Sequence, residues 1–461
     1  MKSGFVKPLV VALIPLAVSA ASIVCGLEQK QVVTVAAVSL MLTGIALYWE
    51  YKIPFASLGL LLLFLLGSLD IRAFVKSSHI DIVVFLACMM IVVEYLERTA
   101  FFEHLVSILV GRVCRGAYSL VAVFFIMTAL FAPLVGVVTA TLFMVPMIMD
   151  IALRYGVNPV PFVLMMTFAA NIGSSATLVG SPVSILIAFE AHLTFLDFLR
   201  WATPAAVVSL LACLALTFIV FGNEVLALHR AIVESPEKLM QREVISRTEL
   251  ARAWLIFLGV IATIALHGTI ESLLNLEEGN VLLAAAIGGA TVVLFLKREE
   301  VEDMVSRGVE WGVLLFFLFL FSSAGALEHV GLMDMVAEAI ATLSQGDVLT
   351  ALITLSVMTA GLSAILDNVL TVAFFIPVVK DLGNLGMNVY PLWWALLFSG
   401  TYVGNLTVIA STANIVSVGI LEARKAGKIS FATWIKYGLP FTMVPLTLAL
   451  LLLLLRSRLL F

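Results

Sequence analysis

The sequence predicts an all-α polytopic membrane protein of about eleven crossings, with two inverted repeats that each hold a re-entrant hairpin and an unwound helix. Three observations lead there. Hydrophobic residues make up 62% of the 461-residue chain and charged residues 12%, far from the balance of a water-soluble domain. Two polar, glycine-containing sequences interrupt otherwise apolar runs: Asn171-Ile-Gly-Ser-Ser-Ala-Thr-Leu-Val-Gly-Ser-Pro182 and Gly404-Asn-Leu-Thr-Val-Ile-Ala-Ser-Thr-Ala-Asn414. The chain also matches itself at a nearly constant offset, and with a one-residue gap the match runs through both interruptions.

Apolar runs able to cross a bilayer recur near 7–25, 33–50, 55–69, 80–97, 203–222, 250–270, 279–296, 309–327 and 440–456. The broken segments 159–193 and 390–422 cross as well. The first run follows Lys2 and Lys7 but is too long for a signal-peptide core, so it is expected to remain as a helix. Two further stretches are too long for one helix and break near the middle: 117–154 at Ala132-Pro-Leu-Val-Gly136, and 347–384 at Gly361-Leu-Ser-Ala-Ile-Leu-Asp-Asn368. Each is expected to be a hairpin that enters and leaves on one side. The resulting organisation is 1–53 N-terminal scaffold helices, 54–222 first repeat, 223–249 cytoplasmic linker, 250–278 connecting helix and 279–461 second repeat.

The repeat rests on residues that apolar chance does not supply. One offset pairs Leu96-Glu97 with Leu327-Glu328, Pro146 with Pro377, Asp150 with Asp381 and Gly173 with Gly404. A one-residue gap then pairs Thr177 with Thr407, Ser181 with Ser411 and Ser184 with Asn414. With a cytoplasmic N-terminus, most loop cations fall inside, from Lys52, Arg98, Arg112 and Arg115 to Arg424, Lys425 and Lys428. Arg72, Lys76, Arg456 and Arg458 do not. The single helix 250–270 makes the second repeat inverted. The linker charges, Glu224, Arg230, Glu234, Glu237, Lys238, Arg242 and Glu243, alternate in sign and read as a solvated surface.

Cys25, Cys88, Cys114 and Cys213 are dispersed, and the six histidines have no ligand spacing. No metal or organic cofactor is expected. An isoelectric point near 5.9 offers nucleic acid no basic surface. Neither a phosphate-binding loop nor a hydrolase elbow occurs, so ATP-driven and familiar hydrolytic chemistry lack their usual residues. Any transport would draw on an ion or solute gradient, and the chain is not expected to be an enzyme.

The polar interruptions are the expected site, because backbone leaves the helix inside hydrocarbon only where protein or a cavity surrounds it. The first segment supplies Asn171, Gly173, Ser174, Ser175, Thr177, Ser181 and Ser184, the second Asn405, Thr407, Ser411, Thr412 and Asn414. Half-helix N-termini suit an anion and exposed carbonyls a cation. Neutral hydroxyls and amides equally suit an uncharged hydroxylated solute. Asp367, beside Asn368 in the second hairpin, costs about 3 kcal/mol to insert. It is expected to bind a sodium ion, carry a proton or cap the following half-helix. Glu94 is a lesser proton candidate. Glu97 and Glu328 mark helix ends, and Phe316 to Phe321 reads as lipid-facing.

The first interruption and Leu362-Ser-Ala-Ile-Leu-Asp-Asn-Val369 resemble the ion transporter superfamily. The branch is the one holding arsenite permeases, D-type sodium/proton antiporters, plant silicon exporters and the melanosomal P protein; citrate transporters and divalent-anion/sodium symporters stand further off. Ala413-Asn-Ile-Val-Ser-Val-Gly-Ile-Leu-Glu-Ala423, Ile429-Ser-Phe and Lys436-Tyr-Gly-Leu-Pro440 extend the likeness over about 54–440. It implies a homodimer of scaffold and mobile domains, elevator-like movement, and a site formed by Asn171, Gly173, Ser174, Thr177, Asp367, Asn368, Asn405, Thr407, Ser411 and Asn414. Two departures stand out. Gly136-Val137 replaces the Asp-Asn common in the first hairpin, and Gly180-Ser-Pro-Val-Ser184 replaces Gly-Asp-Pro-Pro-Asn or Gly-Asn-Pro-Gln-Asn.

The sequence therefore reads as an integral membrane protein of a prokaryotic plasma membrane, an ion-coupled secondary active transporter of a small anion, oxyanion or carboxylate. Asp367 and Asn368 would hold a sodium ion or proton; hydroxyls of Ser174, Ser175, Thr177, Ser411 and Thr412 would hold the solute. A sodium/proton antiporter is the alternative. Its partners are the small solute and the lipid bilayer.

Overall fold

The computed structural model describes residues 3–234 and 246–457, and all regular structure among them is helical. Glu237, Lys238, Arg242 and Glu243 of the linker, with Lys2 and Arg458, lie outside the described residues.

Helices α1 (Ser3–Val24), α2 (Gln29–Leu47) and α3 (Lys52–Leu65) open the chain. α4 (Ile71–Ser77) begins where Asp70 accepts from the Ala73 amide at 2.7 Å, and α5 (Ile80–Arg98) follows at a 44° bend. After α6 (Phe101–Val113), α7 (Ala117–Val135) and α8 (Val137–Arg154) are separated by Gly136 alone, at φ +96°. The turn thus lies within the expected break, and Pro133 sits in the last turn of α7 without ending it. α9 (Val160–Ser174) and α10 (Pro182–Glu190) form the first broken helix.

α11 (Phe195–Asp197), capped by Thr194, runs through a π turn at Phe198–Ala202 into α12 (Thr203–Val220). Part of the expected linker is helical: α13 (Gly222–Glu234) buries Val225, Leu228 and Ile232 and packs against α7. α14 (Arg247–Leu274) is capped by Ser246, and α15 (Asn280–Leu296) and α16 (Val301–Arg307) follow.

α17 (Trp311–His329) and α18 (Leu332–Ser344) precede the second hairpin, α19 (Val348–Ser363) and α20 (Asn368–Asn384). α21 (Tyr390–Val403) and α22 (Thr412–Ala423) flank a 3-10 turn at Val408–Ala410, and α23 (Phe431–Ser457) closes the chain. Among the described residues, eight helices are long and apolar enough to cross a membrane, and the bent α4–α5 pair would add one.

The chain divides into two compact units, Met1–Val84 with Glu310–Leu396, and Phe85–Val309 with Leu397–Phe461. In the first, α17 packs on α3, α4 and α20, and α18 packs on both hairpin arms. This overturns the lipid-facing reading of the phenylalanine run: Phe316, Phe317 and Phe321 are buried. A helix apolar all round belongs inside a protein as readily as against lipid, and α17 packs on α2, α3, α4, α18 and α20 while leaving Trp311 and Leu315 exposed. Helix ends at Arg98 and His329 agree with Glu97 and Glu328 as end markers.

In the second unit, α9 is enclosed by α7, α8, α12 and α22, and Pro161 to Ser174 are buried without interruption. The first broken helix lies within this unit, as do the second break and α22, while residues 390–396 of α21 belong to the first unit. An ion pair between Arg424 and Asp150 joins the end of α22 to that of α8.

Candidate functional site

Three asparagines bolt the two unwound segments together. Asn171 on α9 donates its Nδ2 protons to Asn405 Oδ1 and Asn414 Oδ1, each at 2.8 Å. Its own Oδ1 accepts from Ser411 Oγ at 3.0 Å. Asn414 turns its amide back on the break, donating to the carbonyls of Gly404 and Thr407, and Asn405 donates to the Phe441 carbonyl at 3.2 Å. All four side chains are 0–1% exposed. Buried amides left unpaired would each cost about 1–3 kcal/mol, so the network must be complete to persist.

The first segment is closed onto the first hairpin. Thr177 donates to the Pro133 carbonyl, and the Val137 amide donates to the Gly180 carbonyl at 3.1 Å. A Cβ at Gly180 would meet the Ser174 carbonyl and come within 2.9 Å of Pro133 Cα; one at Gly173 would lie 2.6 Å from the Ala129 carbonyl oxygen. These glycines are there because backbone passes backbone too closely for a side chain. Ser174 donates to the Asn171 carbonyl, Ser175 to the Ile172 carbonyl and to Tyr402, and Ser181 exchanges with Ser184. The first segment's hydroxyls are thus engaged within the protein.

The half-helices differ at their N-termini. α10 starts with Pro182, which has no amide proton, and Ser181 takes the Ser184 amide. α22 has no side-chain cap, since Ser411 gives its hydroxyl to Asn171. Thr412, at its first position, is half-buried. The Asn414 amide bonds the Ser411 carbonyl at 3.1 Å, and with no side chain capping this end the helix dipole favours negative charge there.

Asp367 and Asn368 stand in the first unit, at the turn of the second hairpin, 3% and 7% exposed. Asp367 Oδ1 accepts from the Val369 amide at 2.9 Å, so the capping role expected for it is present. Glu94 is held by Arg98 at 2.6 Å, alongside Glu300 and Asp303, which leaves it engaged in an ion-pair cluster rather than alone in the membrane.

The citrate transporter family model matches residues 39–355 and 324–461. The chain belongs to the citrate transporter family. An uncharacterized transporter of Mycobacterium tuberculosis is 34% identical over 374 residues, covering 80% of this chain and 84% of that protein. The silicon efflux transporter of Oryza sativa is 24% identical, covering 84% and 89%. Human P protein is also 24% identical, covering 78% of this chain and 51% of that protein. Among solved structures, the YdaH transporter of Alcanivorax borkumensis superposes with a TM-score of 0.53 at 19% identity over 84% of this chain and 87% of that one. This family member is therefore an integral membrane transporter with a YdaH-like fold.

Sequence reasoning missed several supports that this citrate transporter family chain uses. Trp434 on α23 donates its indole proton to the Asn405 carbonyl at 3.0 Å; Thr203 on α12 donates to the Ala176 carbonyl at 2.7 Å. Each closing helix thus satisfies one carbonyl freed by a break. Thr167 and Ser417 meet at 2.6 Å, buried between α9 and α22. Thr203 directly precedes Pro204 and Trp434 stands six residues before Pro440, two prolines that the internal repeat pairs after a further insertion.

Proposed function

We propose that this protein is an ion-coupled secondary active transporter moving a small anion, oxyanion or carboxylate by alternating access with elevator-like movement. The observation that carries the reading is the uncapped start of α22, held by the Asn171 bolt beside the half-buried Thr412. A fixed, partly positive helix end in a buried polar setting binds a carboxylate or oxyanion without an arginine. The family's description as citrate transporters supports a carboxylate. The hydroxyls of Ser174, Ser175, Thr177, Ser411 and Thr412 would complete the solute site by exchanging their present bonds.

Asp367, with Asn368 and the carbonyls ending α19, would hold the coupling ion, sodium or a proton. The first hairpin has no matching carboxylate because its turn residue, Gly136, sits at φ +96°, a conformation an aspartate adopts only under strain. That asymmetry favours coupled solute transport over two-carboxylate sodium/proton exchange. The bacterial relatives support a plasma-membrane location, with a cytoplasmic N-terminus and a homodimer as the accompanying assignments.

The test is the internal pH of proteoliposomes carrying the protein, followed with a trapped dye. Sodium, then lithium, then citrate, sulfate, phosphate or arsenite is added outside. A response that requires one anion supports this reading and names the solute. Proton flux on sodium or lithium alone selects the antiporter instead.

A further inference from the structure

Lys7 ties the start of α1 to the end of α2. It donates to the Leu47 carbonyl at 3.2 Å, and its ammonium lies 5.4 Å from the centroid of the Tyr48 ring. Both helices are long and apolar enough to cross the membrane, so this end of the pair lies at one boundary of the hydrocarbon. Tyr48, Trp49 and Tyr51 follow in the short turn that leads into α3, and aromatic rings with polar tips belong at that boundary. A groove opens there. Tyr48, Tyr51, Pro54, Phe55 and Leu58 line a volume of about 380 Å³, within the range of small-ligand sites. Tyr48 and Phe55 stack at 6.0 Å, and Phe55 is seated on Gly44, where a Cβ would come within 2.1 Å of its ring. Along α3 the apolar wall continues: Leu58, Leu61 and Leu65 share one helix face and are 40%, 53% and 74% exposed. All these residues belong to the first unit.

We propose that this groove holds an anionic phospholipid, its phosphate beside Lys7 and one acyl chain in the groove and along Leu58, Leu61 and Leu65. The division of the surface selects that occupant: a cation at the headgroup level and, beyond it, a row of exposed leucines. Lys7 has three ammonium protons, and the Leu47 carbonyl takes one. Tyr48 and Tyr51 offer rings to an acyl chain and phenols to a headgroup. A lysine near the membrane surface attracts anionic lipid, and Glu50, exposed in the same turn, opposes that attraction. The selectivity is therefore no larger than one lysine confers. It does not depend on which solute the protein moves.

Native mass spectrometry of the full chain released from detergent tests this, with phosphatidylglycerol or phosphatidylcholine of identical acyl chains added in series. The variants are Lys7→Gln, which keeps a donor for the Leu47 carbonyl and removes the charge, Lys7→Arg, and Leu58→Trp, which fills the groove. Wild type is expected to retain phosphatidylglycerol at about fivefold lower concentration than phosphatidylcholine, the preference that one lysine gives. Lys7→Gln should lose that preference with phosphatidylcholine retention unchanged, Lys7→Arg should keep it, and Leu58→Trp should retain one lipid fewer. Equal retention of the two lipids by wild type overturns the proposal, and so does a preference that survives in Lys7→Gln. An unchanged lipid count in Leu58→Trp overturns the placement of the acyl chain. A wild-type dimer that Leu58→Trp splits without loss of lipid shows a second copy in the groove and overturns the lipid as its occupant. If Leu58→Trp fails to fold, the comparison of Lys7→Gln with Lys7→Arg decides.

Discussion

Asn171 donates to Asn414 at 2.8 Å across a sequence separation of 243 residues, fastening α9 of one repeat to α22 of the other. Asn171 stands in the last turn of α9 and Asn414 in the first turn of α22, so the bond joins the helix ends that flank the two breaks. In a low-dielectric surrounding such a bond is strong, and leaving it unmade is costly. Under the proposed reading, a solute entering between the segments would exchange bonds with this network, and the bolt would be part of the barrier to opening.

Asn171→Ala should therefore destabilise the protein beyond the loss of one contact. It strands Asn405 Oδ1, Asn414 Oδ1 and the Ser411 hydroxyl, at about 1–3 kcal/mol for each unsatisfied group. Unfolding temperatures for Asn171→Ala, Asn414→Ala and the double variant should be strongly non-additive. Additive losses would mean that the two amides act separately.

The close approach of α23 to the second break predicts an order of severity. Trp434→Phe keeps the edge-to-face contact with Phe168 and removes one donor from Asn405, worth about 1 kcal/mol. Gly438→Ala drives a Cβ into the carbonyls of Asn405 and Leu406, where backbone must move. Detergent stability should fall more for Gly438→Ala, and solute affinity should weaken with it. Equal effects would show that the break tolerates displacement.

Most of the fold was legible because a bilayer imposes length and polarity rules on every crossing. The two broken helices and both hairpins could be read from Asn171 to Pro182, Gly404 to Asn414, Gly136 and Asp367. What the sequence did not contain was partner choice. Asn171 looks like a free binding group in a string of letters, yet its amide is committed to Asn405 and Asn414. Phe316 looks like lipid-facing surface, because lipid and packed protein ask for the same residue types. The supports Trp434 and Thr203 depend on which helix returns beside which break, which no local pattern encodes.

Glu300 and Asp303 make a pH-dependent junction with the end of α5. Bonds from Lys297 and then Arg98 hold the Glu300 carboxyl below its ordinary range, and Arg98 does the same for Asp303. A carboxylate with a depressed folded value contributes stability above its unfolded value, and loses it as pH falls through the folded one. Acid should therefore loosen α16 below the usual carboxylate range, and salt should mimic part of the effect because the groups are exposed. An Asp303→Asn variant should show a shallower acid limb of stability against pH. An unchanged limb would place the sensitivity elsewhere.

Gly136→Ala isolates the cost of the hairpin turn. No atom lies within 4 Å of a Cβ built there, so space is available. The backbone at φ +96° is what an alanine resists, and the cost should be about 1–2 kcal/mol. Because this turn carries the Val137 amide that binds Gly180, the loss should appear in solute affinity as well as in unfolding temperature. A stability loss with unchanged affinity would detach the turn from the site.

Asp367→Asn separates the helix cap made by that side chain from the coupling role proposed for it. An asparagine oxygen can accept from the Val369 amide as the carboxylate does, and Asn caps helices as well as Asp. α20 should keep its start, and membrane insertion and unfolding temperature should stay near wild type. What disappears is the negative charge, and with it any coupling cation or proton. Gradient-driven accumulation in proteoliposomes should be abolished, while solute exchange without a gradient persists, because the site around Asn171 and Thr412 is untouched. Accumulation at the wild-type level would reduce Asp367 to a helix cap.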